Sequence, residues 1–182
     1  MKRLFLIAGL MAAFLLVVVT ASAQKANFAG AWSLDKAKSQ GLSPRDQGAD
    51  KVTLTITQDA TTISLDRKVE GGQPPAGGGG GGTGGGGGGG GRGPAGPQSF
   101  NLDGKEVSAE VTFGQNTGTR TTKATLSGGT LELMTKNVFG ERNNTTTQKL
   151  SLSGDGKTLT VVTHREGGQQ ATPDSTAVYT KQ

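Results

Sequence analysis

Three stretches of this sequence hold residue types that can do chemistry. His164, in "VVTHRE", is the one histidine of the chain. A Ser-His-Asp relay would have to use it as its base. No G-x-S-x-G elbow supplies a serine for it, so it reads as a solvated histidine at a strand end. The run "GDGKT", Gly154 to Thr158, resembles the second half of a phosphate loop. The earlier glycine such a loop needs falls on Ser151, and a strand pattern follows where a helix N-terminus would have to face the phosphate. The run is therefore expected to be a hairpin turn. Glu106 and Glu110 lie four residues apart, on one face if the chain is extended. Paired carboxylates serve acid–base chemistry or calcium binding, but on a strand they read as a solvated face.

The inventory around these residues is thin. The chain has 182 residues and no cysteine, which excludes disulfides, thiol catalysis and cysteine metal sites. A single histidine excludes histidine-rich zinc sites. No catalytic residue, metal ligand or cofactor site can be named, and the protein is expected not to be an enzyme. The formal net charge is +5. That is too mild, and too scattered, to argue for nucleic acid as a partner.

The first residues are set apart from the rest. Lys2 and Arg3 precede an apolar run from Leu4 to Val19, and Ala21-Ser22-Ala23 is a small-x-small cleavage site. This is the pattern of a secretory signal peptide over residues 1–23, with Gln24 the first mature residue. The apolar run is shorter than the roughly 20 residues that span a bilayer. The mature chain is thus expected to be exported, periplasmic or secreted, with no stable membrane insertion.

The remainder, residues 24–182, reads as one domain interrupted by glycine. Gly71 to Pro97 holds 18 of the 32 glycines and four of the six prolines. Such a segment has almost nothing to bury and cannot repay the entropy of ordering, so a disordered loop insertion is expected over 71–97. On either side of it the hydrophobic period is two. Val52, Leu54 and Ile56 alternate with threonines; Ile63 and Leu65, Leu131 and Leu133, Leu150 and Leu152, and Leu159 and Val161 alternate with polar residues, and Ala177 and Tyr179 close the pattern. Alternation of this kind marks half-buried strands. Turn signals separate them at Asp59-Ala60, Asp103-Gly104, Gly128-Gly129, Gly140-Glu141 and Asp155-Gly156. One helical turn is expected at Asp35 to Ser39, capped by Asp35, with a polar loop from there to about Asp50. The fold class is all-β: an antiparallel up-and-down β-barrel of about eight to ten strands, because closure removes exposed edges. A two-sheet sandwich is the alternative.

Asn27 to Ser39 reads "NFAGAWSLDKAKS". Phe28, Gly30, Trp32 and Leu34 fall on one face of a strand. Gly30-Ala31-Trp32 resembles the G-x-W of the first lipocalin strand. The fuller F-x-G-x-W-x-L-D-x-x-K-S resembles the start of exported bacterial lipocalin-like proteins of unknown function. The segments "FNLDGKE", "LSLSGDGKTLTV" and "VYTK" are similar to that family as well. No T-D-Y motif, disulfide or C-terminal helix accompanies them. The resemblance implies a barrel in which Gly30 and Trp32 belong to a closed end, with the tryptophan packed against a late basic side chain, Lys181 or Arg142. It also implies a non-enzymatic module that binds a small apolar or amphipathic ligand. Leu54, Ile56, Leu65 and Leu133 are the candidate lining residues. A cell-envelope structural or protein-interaction module with a filled core is the alternative function.

Overall fold

The structure, a computed structural model, describes residues 26–71, 96–113, 115–167 and 173–182. The leader and all but the ends of the 71–97 insertion lie outside the described residues. Ten strands follow one another: β1 (Gly30–Leu34), β2 (Lys51–Gln58), β3 (Thr62–Glu70), β4 (Gln98–Asn101), β5 (Val107–Phe113), β6 (Asn116–Ser127), β7 (Thr130–Phe139), β8 (Arg142–Leu152), β9 (Thr158–Gly167) and β10 (Ser175–Lys181). One short helix, α1 (Pro44–Gly48), stands between β1 and β2.

All ten strands belong to one antiparallel sheet in the order β4-β3-β2-β1-β10-β9-β8-β7-β6-β5. Each strand except β4 and β5 pairs with its sequence neighbours, and β1 pairs with β10, matching Trp32 to Lys181 and Leu34 to Tyr179. This is an up-and-down barrel, and a single continuous sheet sets the sandwich aside. Each of the five sequence turns falls between strands. At the β2–β3 turn the Asp59 carboxylate accepts from Thr61 N and Thr62 N, both at 2.7 Å. At the β8–β9 turn Asp155 accepts from Lys157 N at 3.0 Å, so "GDGKT" is a hairpin.

Two expectations need correction. The turn expected after Asp35 forms, with Lys38 N donating to Asp35 Oδ1 at 3.2 Å, but the stretch from there to about Asp50, expected as a polar loop, is not all loop. The helix forms later, at Pro44–Gly48, because Ser43 caps it by accepting from Asp46 N and Pro44 fills a first-turn position. Closure is also incomplete. β4 and β5 follow one another in sequence but share no ladder; β4 leans on β6. Among the described residues both strands keep one edge without a ladder.

The period-two pattern sends alternate residues inward. Phe28, Trp32, Leu54, Ile56, Ile63, Phe100, Ala124, Leu131, Leu133, Leu150, Leu159, Val161 and Tyr179 form the buried cluster. It occupies the end of the barrel where β10 finishes, referred to below as the lower end. The Gln58 side chain ties the incoming segment across this end: it accepts from Phe28 N at 2.8 Å and donates to Ala26 O at 3.0 Å. The β1–β2 connection with α1 and the β5–β6, β7–β8 and β9–β10 turns sit at the upper end.

Candidate functional site

At the lower end Trp32 is fully buried. Its indole Nε1 donates to Phe28 O at 3.0 Å. Lys181 Nζ stands 5.3 Å from the ring centroid, within cation–π range. Gly30 makes room for this stack. Its φ is +145°, and a Cβ there would come within 3.1 Å of the Lys181 side chain. Arg142 lies at the other end, opposite Phe139 where β8 begins.

Of the candidate lining residues, Leu54, Ile56 and Leu133 are buried members of the cluster, and Leu65 packs against it half-buried. They touch other apolar side chains. The lower half of the barrel is solid.

Above this layer the inward face turns polar, one register step at a time. Ala124, Leu133, Gln148 and Thr163 face one another across β6 to β9. The next row up is Thr122, Thr135, Thr146 and Arg165, and the next is Arg120, Asn137 and Asn144. Gln98 Nε2, from β4, reaches Thr135 Oγ1 at 2.9 Å. Arg120 Nε donates to Asn137 Oδ1 at 2.8 Å, and Asn137 Nδ2 donates to Asn144 Oδ1 at 3.0 Å. Arg120 is half-buried, and that burial holds its pKa below the ordinary arginine value.

A second arginine plugs the other side of the upper end. Arg67, opposite Leu54, pairs with Asp46 of α1, and both side chains are largely buried. Burial opposes the charge on Arg67, but Tyr179 and Asp46 outweigh it and raise its pKa. Burial pushes the Tyr179 phenol up, so at neutral pH it is a neutral hydrogen-bond partner of the guanidinium. Lys36 Nζ closes the helix C-terminus by donating to Gln47 O at 3.2 Å and to Ala49 O.

Two clefts lie on the outside. One, about 280 Å³, is lined by Lys36, Ser39, Gly41, Leu42 and Gln47. The other, about 340 Å³, is lined by Glu132, Thr147, Lys149, Val162, His164 and Asp174. In it His164 Nδ1 lies 2.5 Å from Asp174 Oδ1, and Nε2 lies 3.3 Å from Glu166 Oε1. The Asp174 and Glu166 hydrogen bonds raise the imidazole pKa above 6.5. Both ring nitrogens of His164 are thus engaged by carboxylates. Glu106 stands 3.9 Å from Lys123, and Glu110 is exposed on β5 opposite Thr119. Among the described residues no group of three or more His, Asp or Glu could hold a metal ion.

The sequence pattern pointed to the lower cluster and passed over Arg67, Arg120, Asn137 and Asn144. A signal for them was available: Arg67 continues the inward alternation of Ile63 and Leu65, and Arg120 that of Ala124 and Thr122. A charged residue in phase with a core stripe is the mark of a polar interior.

No family model and no curated protein matches the chain. Solved structures do. A point mutant of the fluorescent protein UnaG is similar over 85% of this chain and 96% of its own, with 16% identity and a TM-score of 0.48. The wild-type UnaG structure is similar over 85% and 97%, with 14% identity and a TM-score of 0.46.

Proposed function

We propose that the chain is an exported, non-enzymatic lipocalin-like module that binds a small amphipathic ligand in the upper half of its barrel. One observation carries the reading. The interior is divided into a packed apolar floor and a hydrogen-bonding upper wall whose side chains run from half-buried to, at Asn144, exposed. Floor and wall together offer an amphipathic molecule both kinds of surface, and barrel mouths are common ligand sites. The missing β4–β5 ladder supplies a lateral way in. Leu54, Ile56 and Leu133 then form the floor beneath the ligand and do not surround it. Export rests on the leader pattern of residues 1–23. Both ring nitrogens of His164 are held by carboxylates among the described residues, which supports a structural role for it over a catalytic one.

Native mass spectrometry of the mature protein, taken from the compartment where it accumulates, tests both parts. The expected result is a mature chain starting at Gln24 that carries one reproducible class of small molecule, released on denaturation. A bare chain that takes up nothing from a lipid extract would overturn the binding reading. The solid lower core specifically favours the other reading in that event, an envelope module that works through its surface.

A further inference from the structure

We propose that the chain self-associates through the open edge of β5, as a two-fold dimer in which the β5 strands of two copies pair antiparallel with Ala109 facing Ala109 of the second copy. Self-association of this kind does not depend on the ligand-binding reading above.

Two strands carry an edge without a ladder among the described residues, and the two edges differ. β4 is guarded. It is four residues long and follows Pro97. It buries Phe100, and Gln98 Nε2 is tied to Thr135 Oγ1 at 2.9 Å. β5 has none of these protections. It runs for seven residues without proline, and Lys105 to Glu110 are exposed without a break. Val107, Ala109 and Val111 share one face, which within β5 carries no charge. Val107 is 42% exposed. Glu110, and Glu106 just before the strand, fall on the other face. A long, apolar, unguarded edge is a template for a further strand.

The edge is also its own complement. Its apolar face reads Val-Ala-Val in either direction about Ala109. A two-fold contact demands that symmetry, because residue i must meet j while j meets i. Backbone pairing then limits the register. Facing residues of an antiparallel ladder both point their polar groups across the gap or both away from it. Near its centre, β5 can therefore place Ser108, Ala109, Glu110 or Val111 on the axis. Glu110 on the axis sets two carboxylates face to face, and Ser108 there sets Glu106 against Glu110. Like charges directly opposite are destabilising. Val111 on the axis runs Val107 past the end of the second β5. Ala109 on the axis matches Val107 to Val111 and sets each glutamate against a hydroxyl, Glu110 against Ser108 and Glu106 against Thr112. The second copy's β5 then lies across the lateral opening of each barrel, so entry from that side is open in the monomer and covered in the dimer.

Sedimentation velocity of the full mature chain, from micromolar to millimolar concentration, should show a reversible monomer–dimer equilibrium, weak because the contact is small. Ser108→Glu places a carboxylate against Glu110 of the second copy, twice by symmetry, and should weaken association about fivefold or more. Ser108→Lys should strengthen it. Both variants lose the same hydroxyl contact with Thr121, so opposite shifts cannot come from folding. The chain has no cysteine, so an introduced one reports the register. Under mild oxidation Ala109→Cys should form a disulfide-linked dimer. Glu110→Cys should not, because its two copies lie diagonally, roughly 7–8 Å apart. A monomer at every concentration would overturn the dimer. Association unmoved by either Ser108 variant would overturn the β5 edge as its site. A disulfide through Glu110→Cys and none through Ala109→Cys would overturn the register.

Discussion

His164 shows how a single residue can be well partnered and still be structural. Asp174 precedes β10 and Glu166 lies near the end of β9, so the imidazolium clips the two flanks of the β9–β10 connection together. Its pKa in the folded chain is raised above 6.5, chiefly by the hydrogen bond to Asp174. A raised value means that the folded state holds the proton more tightly than the unfolded chain does. The stabilisation is therefore complete below about 6.5 and is lost as the pH rises through the folded value. Glu132 and Lys149 line the same cleft and pair with each other at 3.4 Å. Denaturation midpoints measured from pH 5 to 9 should fall across this window in wild type and be flatter in His164→Gln. An unchanged slope would mean that the clip is open in solution. Asp59 works in the opposite direction. Backbone and hydroxyl donors of Thr61 and Thr62 depress its pKa, and its contribution is lost as the pH falls below the ordinary carboxylate range.

At the scale of elements, a five-residue helix decides how the upper end is closed. α1 is too short to be stable by itself. It is held by its Ser43 cap, by Lys36 at its C-terminus and by the Asp46–Arg67 pair. Because both partners are largely buried, removing one strands the other. Arg67→Met should lower stability by about 3 kcal/mol, read from the urea midpoint, and adding Asp46→Asn should restore much of the loss. Equal losses in the single and double variants would show that packing, and not the unpaired carboxylate, set the cost. β5 is the opposite case. It pairs with β6 along its length but no strand among the described residues pairs with its other edge, so the same alternation that buries Leu131 and Leu133 on β7 leaves Val107 and Ala109 in solvent. Sequence phase tells which residues share a face. It does not tell whether a neighbouring strand arrives to cover that face.

Across the whole molecule the barrel behaves as two halves. The lower half is packed, so Leu133→Ala should cost about 2–5 kcal/mol. Val111→Ala, on the open side, should cost under about 1 kcal/mol. Urea denaturation of the two variants separates them, and similar losses would mean that the β5 wall is packed in solution. This division explains how much could be read from the chain beforehand. Thr53, Thr55 and Thr57 against Val52, Leu54 and Ile56 determined that β2 is a half-buried strand, because period two is a local property of an extended backbone. Asp59, Gly104, Gly128, Gly140 and Gly156 determined where the chain turns, because carboxylate caps and positive φ angles are local too; each of these glycines adopts one. Those signals together are sufficient for an antiparallel meander. Other features depended on residues far apart in sequence. Lys181 meets Trp32 because β1 and β10 close the sheet, and Asp46 meets Arg67 because α1 folds over the upper end. The floor is full and the β5 wall bare because β4 leans on β6 instead of pairing with β5. Alternation records the direction of each side chain; only the closure of the sheet decides what that side chain meets.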